Sequence, residues 1–253
     1  MNIRFDNLNV LVTGASRGIG KAIATEFAKS GARVIAHFYK NAESAEKLIS
    51  EIDGTSHITF QADIANPDSV KSMVNKLVDQ LGHIDILVNN AGIYEELDYS
   101  TLNYDEWLNS WKRTMDTNLN GVANLCFLVS KHMVKNGGGK IINITSRGAF
   151  RGEPTSPAYG ASKAGLNSFG QSLAKALAPQ KVLVYAIAPG WVDTDMAALG
   201  MEGPNAQDIK DQSPLRRIAR PEEIAQSVVM LASGIEFMTG CILDVNGASY
   251  LRT

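Results

Sequence analysis

A doubly wound α/β fold, with about seven parallel strands and helices on both faces, is the fold class that three observations predict. Short β-branched runs alternate with amphipathic stretches along all 253 residues. Most of those runs are almost continuously apolar, as strands covered on both faces are. Connections are short, and no Pro/Ser-rich linker or internal repeat divides the chain. One domain is therefore expected over 1–253, with an irregular segment at about 191–219 that is long for a loop and so reads as functional.

The expected strands are Val10–Val12, Arg33–Ile35, Ile58–Phe60, Ile84–Val88, Ile141–Ile144, Val182–Val184 and Ile242–Val245. Between the first two, Ile19, Ile23 and Phe27 recur every four residues and Gly31 ends the helix. From Pro67, the set Val70, Met73, Val74, Leu77, Val78 and Leu81 follows one helix face, and Gly82 stops it. Pro221-Glu222-Glu223 opens a further helix with the negative charge its dipole favours.

Composition narrows the function classes. Hydrophobic residues make up 45% and charged residues 20%, enough to bury a core. The net charge of -2 gives no general field for nucleic acid. No apolar run approaches the ~20 residues of a membrane span, and the N-terminus lacks the apolar segment of a signal peptide. Cys126 and Cys241 lie far apart in apolar runs. They read as buried packing in a reducing compartment, so a cytoplasmic protein is expected.

Thr13-Gly14-Ala15-Ser16-Arg17-Gly18-Ile19-Gly20 directly follows the first strand and opens the first helix. Glycines there let the backbone approach a pyrophosphate, and the helix N-terminus offers it free amides, the mark of a Rossmann dinucleotide site. The second strand ends Ile35-Ala36-His37-Phe38-Tyr39-Lys40, without the carboxylate that NAD sites use to hold the ribose hydroxyls. Arg17 and Lys40 could face a 2′-phosphate instead, so NADP(H) is preferred over NAD(H), with Lys40 equally readable as a solvated surface residue. His37 reads as a loop or surface histidine. Asp63, before Ile64 at the end of the third strand, reads either as an acceptor for the adenine amino group or as a helix cap. Asn89-Asn90-Ala91-Gly92 after the fourth strand either admits the cofactor closely or stabilises the turn.

Tyr159 and Lys163 are four apart in a helical stretch and share a face. An ammonium there is expected to lower the phenol's pKa and let it exchange a proton with a substrate oxygen. Ser146 closes the preceding strand, where open α/β sheets bind ligands. It is not in a Gly-x-Ser-x-Gly elbow, which argues against a hydrolase. His37, His57, His83 and His132 show no metal-ligand spacing, so no metal site is expected. A cofactor-gated regulator without turnover would show a damaged catalytic set, and this one is complete.

With Asn118 in Asp116-Thr117-Asn118-Leu119 and Pro189-Gly190-Trp191-Val192-Asp193-Thr194, these motifs resemble short-chain dehydrogenases/reductases over the whole chain. The resemblance implies that Ser146 orients a carbonyl, Tyr159 is the acid/base, Lys163 also binds the nicotinamide ribose, and Asn118 holds a relay water. It implies that Ile187 to Thr194, including Pro189, Gly190, Val192 and Thr194, lines the nicotinamide, and that the following segment is a substrate lid. It further implies a homotetramer pairing helices around Asn118 to Lys135 and Ser156 to Ala178. Within the family the chain looks most like bacterial 3-oxoacyl-[acyl-carrier-protein] reductases. A small carbonyl or alcohol substrate is implied, with acyl carrier protein a candidate carrier. Three departures stand out. Asp98 to Trp111 is about one helical turn longer than usual and carries Trp107 and Trp111 near the expected rim; Ala248 replaces a glycine; and Gln180 replaces an arginine, for which Lys181 and Lys135 are possible substitutes.

Overall fold

A computed structural model describes residues 3–54, 56–202 and 204–252. Seven strands form one parallel sheet: β1 (Asn9–Val12), β2 (Arg33–Phe38), β3 (Ile58–Gln61), β4 (Ile86–Asn89), β5 (Gly139–Ile144), β6 (Val182–Pro189) and β7 (Ile242–Val245). Their spatial order is β3-β2-β1-β4-β5-β6-β7. The chain therefore turns from one half of the sheet to the other between β1 and β4, where Val10 pairs with Ile86 and Val12 with Val88. All seven run the same way, so their carboxyl ends share one edge, and the crevice at that switch point is where such folds take ligands.

Burial explains the sequence pattern. The central strands β1 and β4 are buried at every residue, whereas the edge strands β3 and β7 are not. One apolar layer packs β-strand residues such as Val10, Val12 and Ile142 against α1 (Gly18–Lys29) and α10 (Pro221–Ala232). The other packs Leu11, Leu87 and Ile141 against α3 (Pro67–Leu81), α5 (Gly121–Lys135) and α7 (Pro157–Leu177).

The helix signals translate into specific bonds. Val70, Met73, Val74 and Leu77 are the buried face of α3, and Gly82 ends it at φ 82°. Its cap is Asn66, whose side chain accepts from the amides of Asp68 and Ser69 at 2.9 and 3.1 Å. Asp63 is thus not the cap of that helix. The stretch at 191–219, expected to be irregular, contains α8 (Asp195–Glu202) and α9 (Ala206–Asp211), helices too short for an apolar period to register. Its two ends are tied by a bridge between Val192 and Ala219. Gly203, inside that segment, lies outside the described residues.

Further departures have local causes. β4 begins at Ile86 rather than Ile84, because Asp85 accepts from the Asn9 amide at 2.7 Å through its side chain. Cys126 is buried as expected, but Cys241 is only half-buried. Ala248 adopts φ 58°, the left-handed region that favours glycine. Gln180, Lys181 and Lys135 sit just before β6 and β5 begin, at the amino-end edge of the sheet. Within one chain they lie at the opposite edge from the ligand crevice. No described helix is long and apolar enough to cross a membrane.

Candidate active site

A cavity of about 680 Å³ opens along the carboxyl ends of the strands. Its near wall is the turn from β1 into α1. Gly14 and Gly18 hold φ of 63° and 53° there, conformations that any side chain would strain. α1 has no side-chain cap and no acid in its first turn, unlike α3, so its leading amides stay available to an anion. A Cβ on Gly92 would come within 3.4 Å of the Lys163 ammonium and 3.3 Å of the Asn118 amide oxygen. The backbone thus clears space at both ends of the cavity, and the residues present fit a dinucleotide.

The turn is held by side chains at its back. Thr13 Oγ1 accepts from the amides of Asn90 and Ala91 at 2.9 and 3.0 Å. Asn90 Nδ2 donates to the carbonyls of Thr13 and Gly14 at 2.9 and 3.1 Å. Both sit at the switch between β1 and β4. The asparagine therefore stabilises the turn and lines the cavity as well.

His37 belongs to the same scaffold, and its expected surface position is wrong. It is 1% exposed. Its Nδ1 accepts from the Gly14 amide at 3.1 Å and its Nε2 faces the Ala62 carbonyl at 3.1 Å, which fixes the neutral Nε2–H tautomer. Burial pushes its pKa down from 6.5 to about 4. A proton on Nδ1 would also set two donors face to face. The depressed value means that the stability it contributes is complete above pH 6.5 and is lost as pH falls toward 4. We expect an acid-side loss of about 3 kcal/mol from this group. Urea unfolding at pH 7 and pH 4 should show a difference that shrinks in His37→Gln.

Ser16, Arg17, Gly18, Ile19, Lys40, Asp63, Ile64, Asn90, Ala91, Gly92, Pro189, Gly190, Val192 and Thr194 line the cavity with Gly14. Gly20 does not line it. A Cβ there would meet the Gly14 carbonyl oxygen at 2.2 Å, so its role is packing behind the turn. Arg17 pairs with Asp195 at 3.2 Å, both side chains largely exposed. Lys40 is exposed, with its ammonium 5.3 Å from the Tyr39 ring centre. Asp63 Oδ1 accepts from the Ala65 amide at 2.9 Å.

Ser146, Tyr159 and Lys163 line the same cavity. Pro157 starts α7 and places Tyr159 and Lys163 one turn apart near its beginning, beside the end of β5. Lys163 donates to the Ile144 carbonyl at 2.9 Å, and its ammonium lies 5.7 Å from the Tyr159 ring centre. Burial lowers its pKa to about 8. Burial raises Tyr159 to about 12, and only the Ser146 hydroxyl pulls it back. The net direction for the phenol is therefore up rather than down: the Lys163 ammonium is directed at a carbonyl and over the ring, and desolvation dominates. The Tyr94 ring meets Tyr159 edge-on at 5.1 Å.

Asn118 is fully buried in a π-helical turn, Asp116–Asn120, that joins α4 (Tyr104–Met115) to α5. Such turns often mark functional sites. Its side chain clasps the backbone of Ile93: Oδ1 accepts from Ile93 N and Nδ2 donates to Ile93 O, both at 2.9 Å. Nδ2 also approaches Ser162 Oγ at 3.3 Å. The extended turn accounts for a helix-breaking residue in mid-helix.

Trp107 and Trp111 do not line the cavity. They pack on each other at 5.4 Å, with Tyr99 at 5.8 Å from Trp107, along α4. Residues that do line it and that the sequence did not single out include Tyr94, Arg113, Thr117, Thr145 and Arg147. Thr145 and Arg147 flank Ser146, so strand-end adjacency was the available signal.

Residues 14–248 match the family described as enoyl-(acyl carrier protein) reductase. The chain is 40% identical over 241 residues to a 3-oxoacyl-[acyl-carrier-protein] reductase of Synechocystis sp., covering 94% of each. It is 37% identical to a 3-oxoacyl-[acyl-carrier-protein] reductase of Staphylococcus epidermidis, covering 97% of this chain and 100% of that one. A short chain dehydrogenase of Burkholderia cenocepacia, solved in complex with NADP, superposes with TM-score 0.87 at 31% identity, over 97% and 99% of the two chains. The crystal structure of gox2181 gives TM-score 0.91 at 32% identity, over 98% and 97%. The chain belongs to the short-chain dehydrogenase/reductase family of oxidoreductases. Within that family it is similar to bacterial 3-oxoacyl-[acyl-carrier-protein] reductases.

Proposed function

We propose that the chain reduces a 3-oxoacyl carbonyl with NADP(H), accepting small thioesters as well as carrier-linked ones. The carrying observation is that Ser146, Tyr159 and Lys163 line the same cavity as the glycine turn. A nicotinamide, when bound, supplies or takes the hydride. The Ser146 hydroxyl holds the substrate oxygen. Tyr159, its pKa raised to about 12, is protonated at neutral pH and so is equipped to donate to that oxygen. Lys163 would hold the ribose of the bound cofactor, and Asn118 fixes Ile93 at the cavity's edge. The test is NADPH oxidation with an acetoacetyl thioester, acetoacetyl-carrier protein and simple ketones at two salt concentrations. Activity on a sugar or steroid ketone and none on any 3-oxoacyl compound would overturn the substrate assignment. A carrier preference that collapses with salt would locate the docking in charge.

NADP(H) over NAD(H) rests on the missing carboxylate at the end of β2 and on Arg17 and Lys40 in the cavity lining. The Arg17–Asp195 pair is exposed, and such pairs are worth little, so Arg17 is free to turn to a phosphate. A charge-assisted phosphate contact of about 1.5–3 kcal/mol gives a preference of roughly tenfold or more. Arg17→Ala should erase most of it in kcat/KM for the two cofactors. Equal efficiency of the unmutated protein with both would refute the preference.

A homotetramer is the assembly we propose. α5 leaves Phe127 57% and Val134 38% exposed, apolar surface that a paired helix would cover. Light scattering should give four chains at micromolar concentration, and a monomer would contradict this. Two free thiols fit a cytoplasmic protein.

A further inference from the structure

The Ser146 hydroxyl is held by the chain that follows it. Its Oγ accepts from the Gly148 amide at 3.0 Å. Gly148 opens α6 (Gly148–Arg151), a single helical turn. One turn makes too few backbone bonds to fix itself, so its place depends on what packs against it. At its start, the Arg147 amide donates to the Pro189 carbonyl of β6 at 2.9 Å. Its outer side has a different anchor.

That anchor is Phe150. The Tyr250 ring stacks on it, within 9° of parallel and with ring centres 6.4 Å apart. The Arg252 guanidinium carbon lies 4.6 Å from the Phe150 ring centre, a cation–π contact. Arg252 is tied in turn to the edge strand β7. Its Nε donates to Asp244 Oδ2 at 2.7 Å and its Nη2 to the Ile242 carbonyl at 2.6 Å. The Tyr250 carbonyl accepts from Asn246 Nδ2 at 2.9 Å, and the Ser249 amide donates to the Asn246 carbonyl at 3.1 Å. Residues 249–252 therefore fold back from β7 as a strap against α6. Phe150, Tyr250 and Arg252 do not line the cavity, whereas Ser146, Arg147 and Arg151 do.

We propose that Arg252 is a positioning residue for Ser146: through Phe150 it fixes α6, and the first amide of α6 fixes the Ser146 hydroxyl. A hydroxyl that accepts from Gly148 keeps its own proton for a substrate oxygen. Loosening α6 releases that orientation. The effect on turnover rests on the reductase reading, whereas the hold on α6 does not.

Hydrogen exchange read by mass spectrometry measures the hold without substrate. In Arg252→Ala and in Phe150→Leu, peptides covering 147–152 should exchange about tenfold faster, with α1 unchanged. Arg252→Lys, which keeps a cation for the ring and for Asp244, should restore most of the protection. In steady-state NADPH oxidation with an acetoacetyl thioester, Arg252→Ala should lower kcat about tenfold and leave NADPH affinity within about twofold. If Arg252→Ala does not fold, Phe150→Leu decides. A double-mutant cycle separates positioning from general loosening. In single turnovers, the tenfold loss should shrink to less than about twofold in a Ser146→Ala background. If that background is too slow to time, recovery of kcat in Arg252→Lys decides. Unchanged exchange over 147–152 in both variants overturns the proposal. So does an undiminished loss in the Ser146→Ala background, or an NADPH affinity that falls as far as kcat. Faster exchange in the variants, with no turnover by the unmutated protein on any carbonyl, sinks the reductase reading and keeps the hold on α6.

Discussion

Tyr159→Phe should leave the NADPH affinity within about twofold and lower turnover by roughly 10²–10⁴-fold, the range that general acid catalysis supplies. The substitution removes one oxygen and keeps the ring, so the edge-on contact with Tyr94 at 5.1 Å survives. Lys163 keeps its bond to the Ile144 carbonyl at 2.9 Å, because that bond does not involve the phenol. What is lost is the phenol proton, which stays in place across the neutral range because burial holds the group near 12. Fluorescence titration with NADPH and steady-state NADPH oxidation with an acetoacetyl thioester separate binding from chemistry. A mutant that turns over at a near-normal rate would remove Tyr159 from the mechanism.

Gly20→Ala is the second large effect. The added carbon would sit 2.2 Å from the Gly14 carbonyl oxygen and 2.5 Å from Asn90 Nδ2. Neither can retreat cheaply, because Asn90 Nδ2 is held by the Thr13 and Gly14 carbonyls at 2.9 and 3.1 Å. The turn must therefore shift. Overpacking of this kind costs about 1–3 kcal/mol, or roughly 2–10 °C in Tm for a domain of this size. Dinucleotide affinity should fall by about tenfold or more, because the amides that face the anion move with the turn. Gly160 supplies the contrast, since a Cβ there meets nothing closer than 3.5 Å. An unchanged Tm together with unchanged cofactor affinity in Gly20→Ala would contradict the packing role.

The parts of the site legible in the sequence are those written as local patterns. The glycine turn is one, because a left-handed φ at Gly14 and Gly18 demands glycine at those places. The Tyr159/Lys163 spacing is another, because a helix turns a four-residue separation into a shared face. Properties that depend on which distant elements meet were not legible. His37 looks like a polar residue near a strand end, yet the Gly14 amide and the Ala62 carbonyl converge on it from two neighbouring strands. Trp107 and Trp111 pack on each other along α4 and do not line the cavity, which their spacing alone does not reveal. The direction of the Tyr159 shift also escaped, since desolvation depends on the whole cavity wall and not on the lysine one turn away.

The sequence by itself determined the sheet, its parallel sense and the edge along which the cavity opens. Apolar period, helix stops and glycine turns act over a few residues and do not need to know their neighbours in space. Only the tertiary structure decided which side chains hold the backbone from behind, as Asn118 holds Ile93, and which charge is buried without a counterion, as at Arg147. Hydrogen-bond satisfaction and desolvation are sums over everything that packs around a group, and those neighbours come from all along the chain.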